Sequence, residues 1–201
     1  MIFLMVASVL WAAREPIDYG EELVQRAIIQ IDGFFAQNKV TEALRYGDRF
    51  AEEVRESSSL FYALGLRCNQ RDRLDDALRY YGKALQRSPD MVEALYDRSE
   101  IFLAQGNWSA AEKDLRKAQK TAKEHWVIHV RLAEIAGHKK NKKQLDQELR
   151  KAVQLGFKLE QLPTLGAHWK QWAHDKKLER TLRQIISQYG DEDIWLQLIR
   201  Y

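Results

Sequence analysis

The sequence predicts an all-α chain built from a repeated helical unit. Three observations support this prediction. Small residues recur every 34 positions, as Ala43, Ala77 and Ala111 illustrate. Only three prolines and ten glycines occur in 201 residues, which is too few for a disordered or all-β chain. The long stretches without either residue favour helices.

One stretch, residues 58–91, shows the repeating pattern most completely. Its pattern residues are Phe61, Leu64, Gly65, Cys68, Ala77, Tyr81, Ala84 and Pro89. Gly65 and Ala77 allow two helices to approach closely, and Pro89 ends the second helix because it lacks an N–H and its ring clashes with the preceding turn. The set resembles the tetratricopeptide repeat family, whose unit is 34 residues long. Only Cys68 departs from the family pattern, which has an aromatic residue there.

The resemblance implies a tetratricopeptide solenoid, which is a right-handed superhelix of about four helix pairs. Residues 24–159 form the array, with units at 24–57, 58–91, 92–125 and 126–159. The period is lost after the fourth unit, and residues 160–201 are expected to form extra capping helices, because the last unit of a solenoid must cover its apolar face. Residues 1–23 form an apolar segment and a lead-in to the array.

The N-terminal segment Ile2–Ala13 is apolar apart from Ser8. It is shorter than the roughly 20 residues that span a bilayer, but it suits the apolar core of a signal peptide. A helix packed on the first repeat is the alternative. Export, membrane attachment and a cytoplasmic location therefore all stay open. The single cysteine, Cys68, excludes an internal disulfide bond without deciding the compartment.

No catalytic signature is present in the sequence. It contains no glycine-rich phosphate loop, no Gly-x-Ser-x-Gly element and no paired-cysteine metal site. His125 and His129 lie one helical turn apart, but no third ligand stands at a recognisable spacing. We therefore expect a non-catalytic protein with no cofactor, no metal and no small-molecule substrate.

The family resemblance implies where a partner would bind. In tetratricopeptide proteins the first helices of successive units line a concave groove. The corresponding residues here are Ile28, Asp32, Phe35, Tyr62, Leu66, Asn69, Glu93, Tyr96, Glu100, Leu103 and Glu134. This groove is acidic and aromatic, and aromatic side chains dominate binding hot spots. We expect it to bind a basic, apolar peptide or helix of another protein. The alternative is that these residues only contact neighbouring helices.

The charge distribution supplies a second hypothesis. Residues 1–112 hold 13 Lys and Arg against 18 Asp and Glu, whereas residues 113–183 hold 18 against 8. A basic patch falls in the 139–158 region and consists of Lys139, Lys140, Lys142, Lys143, Arg150 and Lys151. Such a patch could bind a nucleic-acid backbone or an anionic membrane surface. A solvated turn is the simpler interpretation, because no nucleic-acid-binding fold accompanies it.

Overall fold

The computed structural model describes residues 19–53 and 58–200. These residues form twelve α-helices and one short 3-10 helix, without a strand, so the expected all-α class is confirmed. None of the described helices is long and apolar enough to cross a membrane. The segment Ile2–Ala13 lies outside the described residues. The chain divides into two compact units, an N-terminal unit ending at Pro89 and a C-terminal unit beginning at Asp90.

The N-terminal unit contains two pairs of helices. They are α1 (Tyr19–Ala36), α2 (Val40–Glu53), α3 (Ser58–Asn69) and α4 (Leu74–Arg87). Helix α1 packs on α2, helix α3 packs on α4, and α3 also contacts α1 and α2. The fully buried side chains Ile31, Leu60, Leu64, Tyr80 and Tyr81 form much of the core between them.

The C-terminal unit contains two further helix pairs and a set of closing helices. The pairs are α5 (Val92–Ala104) with α6 (Trp108–Thr121), and α7 (Trp126–His138) with α8 (Lys142–Gln154). The closing elements are a 3-10 helix (Leu159–Gln161), α9 (Leu162–Leu165), α10 (Ala167–Ala173), α11 (Glu179–Tyr189) and α12 (Glu192–Ile199). Their apolar side chains, Trp169, Leu182 and Leu198 among them, share one buried cluster with Leu145 and Leu149 of α8. The closing helices thus cover the apolar face of the preceding pair.

The turn between the two helices of each pair recurs every 34 residues. Its central residue has a left-handed backbone in all four pairs: Asn38 (φ 58°), Asp72 (φ 57°), Gly106 (φ 73°) and Lys140 (φ 53°). In each turn the next amide donates to the carbonyl five residues earlier: Lys39 to Phe34, Arg73 to Cys68, Asn107 to Phe102 and Asn141 to Ala136. These bonds satisfy carbonyls that the end of a helix leaves unpaired. The backbone therefore repeats with the same period as the sequence.

Gly65 of α3 lies in close contact with α4. A Cβ atom built at Gly65 would lie 2.6 Å from the ring of Tyr81, so only glycine fits without a shift of that ring. Nearby, Cys68 is fully buried. Burial raises the pKa of its thiol to about 11, which keeps the thiol protonated and suits a packing role rather than a reactive one.

Candidate functional site

The eleven groove residues predicted from the sequence lie on the first helix of each pair. Helices α1 and α3 carry them in the N-terminal unit, and α5 and α7 carry them in the C-terminal unit. The half-buried ones are Ile28, Asp32, Tyr62, Leu66, Asn69, Tyr96, Glu100 and Leu103. Glu93 is exposed, whereas Phe35 and Glu134 are buried. We refer to these helix surfaces, one in each unit, as the first-helix faces.

In the N-terminal unit an arginine joins the two first helices. Arg67 of α3 donates two parallel hydrogen bonds to the carboxylate of Asp32 on α1, at 2.6 Å from Nε to Oδ1 and 2.9 Å from Nη2 to Oδ2. This bidentate geometry is the strongest that a carboxylate and a guanidinium form. The hydrogen bond with Asp32 raises the pKa of Arg67. Asp32 is therefore already paired within the unit.

Phe35 is covered by a second arginine of α3. The guanidinium of Arg71 lies 4.6 Å from the centre of the Phe35 ring, within the range of a cation–π contact. Its Nη2 also donates to the backbone carbonyl of Phe35 at 3.0 Å. Phe35 is only 3% exposed, so its ring supports Arg71 and offers little free surface to a partner.

The C-terminal unit has a larger ion cluster on its first-helix face. Arg131 of α7 donates to both oxygens of Glu100 on α5, at 2.8 and 2.7 Å. Its remaining terminal nitrogen donates to Glu134 Oε2, one turn further along α7, at 3.0 Å. One guanidinium therefore holds two carboxylates. On its own this cluster carries one net negative charge.

The two carboxylates of this cluster differ in their electrostatic environment. Burial raises the pKa of Glu100, and the attraction of Arg131 only partly offsets this effect. Burial also acts on Glu134, but the contacts with His168 and Arg131 outweigh it and hold the pKa of Glu134 below its ordinary value. Burial and the nearby carboxylate of Glu100 raise the pKa of the Tyr96 hydroxyl. Tyr96 is therefore a neutral side chain beside a fixed ion pair.

A histidine from the closing helices completes the cluster. His168 of α10 places Nε2 3.0 Å from Glu134 Oε1, although the direction of the contact does not meet hydrogen-bond geometry. The other side of the His168 ring faces Trp172, with ring centres 4.7 Å apart. Next to them, His138 stacks on Trp108 with ring centres 3.7 Å apart. The closing helix α10 thus contributes both a polar contact to Glu134 and aromatic surface to this part of the unit.

Sequence reasoning did not find the ion contacts of Arg67 and Arg131, and it indicated His168 only as part of a packed aromatic cap with Trp169 and Trp172, without its contact to Glu134. The sequence shows only the carboxylate side of these contacts, because Asp32, Glu100 and Glu134 occupy one repeat position, at separations that are multiples of 34 residues. An arginine follows Asp32 by 35 residues and Glu100 by 31 residues. No comparable signal exists for His168, which lies beyond the repeats.

These ion pairs change the charge that the first-helix faces present. Four acidic residues, Asp32, Glu93, Glu100 and Glu134, were expected to attract a basic ligand. Asp32, Glu100 and Glu134 are each bonded to an arginine. Glu93 is exposed and makes no ion pair with the residues that the structure describes. The faces are therefore less acidic and more apolar than the sequence alone indicates.

The basic patch is partly neutralised by acidic neighbours. Lys139 contacts Glu112, Lys140 lies 2.8 Å from Asp175, and Arg150 lies 2.7 Å from Asp146. The remaining members of the patch, Lys142, Lys143 and Lys151, form no ion pair within residues 19–53 and 58–200. Half of the expected positive charge is thus already paired, which weakens the case for nucleic acid or an anionic membrane as the target.

His125 and His129, which the sequence places one helical turn apart, differ in their exposure to solvent. His125 is exposed, whereas His129 is buried and its Nδ1 lies 2.7 Å from Glu148 Oε2. Arg116 also donates to Glu148, so His129 belongs to a packed ion cluster. Among the described residues, no group of three His, Cys, Asp or Glu side chains could hold a metal ion.

Comparison with known proteins identifies the repeats. Residues 70–125 match the family model of the tetratricopeptide repeat. The matched stretch carries tetratricopeptide repeat sequence. The left-handed turns at 34-residue spacing, at Asn38, Asp72, Gly106 and Lys140, agree with this match. No curated protein matches it over its sequence.

Solved tetratricopeptide structures share the fold at low sequence identity. MamA of Desulfovibrio magneticus RS-1, from residue 41 to its end, has a TM-score of 0.61 at 16% identity, covering 82% of this chain and 94% of that one. A tetratricopeptide repeat protein from Parabacteroides merdae has a TM-score of 0.62 at 16% identity, covering 88% and 74%. YrrB has a TM-score of 0.62 at 12% identity, covering 89% and 96%. These likenesses establish the tetratricopeptide solenoid as the fold.

Proposed function

We propose that this protein is a non-catalytic scaffold that binds a segment of another protein on its first-helix faces. The observation that carries the proposal is the combination, in each unit, of partly exposed apolar side chains with an arginine–carboxylate pair on neighbouring first helices. Tetratricopeptide repeats create extended concave binding surfaces. The similar protein YrrB is described as a tetratricopeptide protein with an unusual peptide-binding site, which supports the same use of the fold here.

The apolar side chains supply the anchors in this proposal. Tyr62 and Leu66 of α3 and Leu103 of α5 are half-buried, so a partner side chain laid against them would remove further apolar surface from water. Aromatic anchors of this kind contribute a large share of binding energy at interfaces. The arginine–carboxylate pairs join neighbouring first helices and hold them in place, which lowers the entropic cost of binding.

The proposed partner segment is apolar with a basic residue. In the C-terminal unit two carboxylates share the single guanidinium of Arg131, and Glu93 adds an exposed carboxylate on the same helix as Glu100. A lysine or arginine of the partner would complement this excess charge. Electrostatic complementarity of this kind sets specificity and association rate more than affinity.

Affinity capture from native extract tests the proposal. Wild type is compared with Tyr62→Ser, Leu66→Ser and Leu103→Ser, and the matched control is Ile29→Ser, because Ile29 is 70% exposed on α1 and is not a predicted groove residue. Circular dichroism checks that each variant is folded. We expect one or more captured proteins to be lost with the groove variants and kept with Ile29→Ser. An identical set of captured proteins for all four variants would contradict the proposal.

A further inference from the structure

The closing helices of the C-terminal unit border an open groove that the first-helix faces do not include. Helices α10, α11 and α12 surround an open cavity of about 420 Å³, a size within the range of pockets that bury bound groups, roughly 300–1,000 Å³. Trp195, Leu196 and Ile199 of α12 line it, together with Glu179 and Arg183 of α11. We call this cavity the closing groove.

The floor of the closing groove is apolar. Trp195 is nearly buried, at 5% exposure, and packs into the core of the unit. Leu196 and Ile199 are half-buried and lie three residues apart on α12, so their side chains are neighbours on one helix face. These two aliphatic side chains form a short apolar strip beside the indole, and burying the strip against a partner would be favourable.

The rim of the closing groove carries unpaired negative charge. Glu179 begins α11 and Glu192 begins α12, and both are exposed. Neither carboxylate forms an ion pair with a residue in the described part of the chain. The one arginine of the groove, Arg183, lies 5.7 Å from the centre of the Trp195 ring, where it is held in a cation–π contact. The charged lining of the groove is therefore two carboxylates and one arginine, and His174 also lines it.

We propose that the closing groove binds an amphipathic segment of a partner protein, with an aliphatic side chain on the Leu196–Ile199 strip and a lysine or arginine beside Glu179 and Glu192. The charge of the rim selects this occupant, because an acidic segment would meet two like charges. The site is independent of the first-helix faces, so a failure of either proposal leaves the other standing.

Nuclear magnetic resonance locates binding at this groove. The probe is a blocked twelve-residue helical peptide with leucines at positions i, i+3, i+4 and i+7 and lysines between them. A matched peptide replaces every lysine with glutamate. The ¹⁵N-labelled indole of Trp195 reports occupancy, and its resonance is assigned with Trp195→Phe. We expect the lysine peptide to shift this resonance saturably and the glutamate peptide to leave it unchanged.

Variants of the strip and the rim complete the test. We expect Leu196→Gln, and the double change Glu179→Gln with Glu192→Gln, each to weaken binding of the lysine peptide at least tenfold. Glu160→Gln removes an exposed carboxylate outside the groove and should bind as wild type does. Unchanged affinity in both groove variants, or equal binding of the two peptides, would overturn the proposal. A wild-type dimer in sedimentation that Leu196→Gln dissociates would also overturn it, because a second copy would then cover the groove.

Discussion

Arg131 binds the carboxylate of Glu100 with two parallel hydrogen bonds that join the first helices of neighbouring repeats, α7 and α5. The same guanidinium reaches Glu134 at 3.0 Å. Two carboxylates thus depend on one cation in a partly buried site. Such an arrangement stabilises the folded state only while the cation is present, because an unpaired buried carboxylate is strongly unfavourable.

Replacing Arg131 with alanine should destabilise the C-terminal unit. The loss from breaking a fully buried ion pair is about 3–5 kcal/mol. Arg131 and Glu100 keep part of their side chains exposed, so we expect about 1–3 kcal/mol here. Urea denaturation measures the free energy of unfolding. The control is Arg26→Ala, which removes the exposed pair with Glu22 and should change stability little. Equal effects of the two variants would show that the Arg131 cluster is not stabilising.

The ion pairs show why the repeat could be predicted from the sequence and its contacts could not. Periodicity places Asp32, Glu100 and Glu134 in one column, because equivalent residues share a position on the helix. Arg67 and Arg131 stand at different positions of their units, yet each reaches the same column with its long side chain. A period of 34 residues shows which backbone positions are equivalent. It does not show which carboxylate a long arginine side chain contacts, because that depends on the neighbouring helix.

Only some of the closing helices could be predicted from the sequence. The helical spacing of Leu182, Ile185 and Ile186 predicts α11, because their side chains fall on one face and are buried. The very short helices α9 and α10 meet at Gly166 and are too short for a periodic signal. The contact between His168 and Glu134 depends on this irregular stretch, so no pattern in the sequence predicts it.

The stability contributed by Glu148 should disappear in acid. Burial tends to raise its pKa, but His129 and Arg116 outweigh burial and hold the pKa of Glu148 below its ordinary value of 4.5. A depressed pKa in the folded state means that the contribution is fully present above about pH 4.5 and is lost as the pH falls through the folded value. The stability gap between wild type and Glu148→Gln should therefore be widest at about pH 6 and narrow towards about pH 3. A gap independent of pH would contradict this.

Glu100 should make stability depend on pH in the opposite direction to Glu148. Burial raises its pKa above the ordinary 4.5, so the folded protein retains a proton that the unfolded chain releases. The wild type should lose stability relative to Glu100→Gln as the pH rises from about 4.5 through the raised folded pKa. Urea denaturation of both proteins across this range measures the difference. If Glu100→Gln and Glu148→Gln respond to pH in the same direction, the assignment of the two environments is incorrect.

Alanine substitution at two helical glycines should have opposite effects. Gly65→Ala would place its Cβ 2.6 Å from the Tyr81 ring, and overpacking of this kind costs about 1–3 kcal/mol. Gly33 of α1 has no atom within 4 Å of a built Cβ. Gly33→Ala should therefore stabilise by about 0.5–1 kcal/mol, because alanine restricts the unfolded chain. Thermal and urea denaturation measure both. Two changes of the same sign would be inconsistent with the close approach of α3 and α4.

The turn of the third helix pair tests whether the backbone repeats as the sequence does. Gly106 has a left-handed φ of 73°, and a Cβ there would meet no atom within 4 Å, so any cost of substitution comes from the backbone. Gly106→Val should destabilise by about 1–2 kcal/mol, because a β-branched residue strains in this region. Gly106→Asn should cost less, since Asn38 occupies the equivalent turn at φ 58°. Urea denaturation compares the two, and equal losses would mean that the left-handed turn is not maintained in solution.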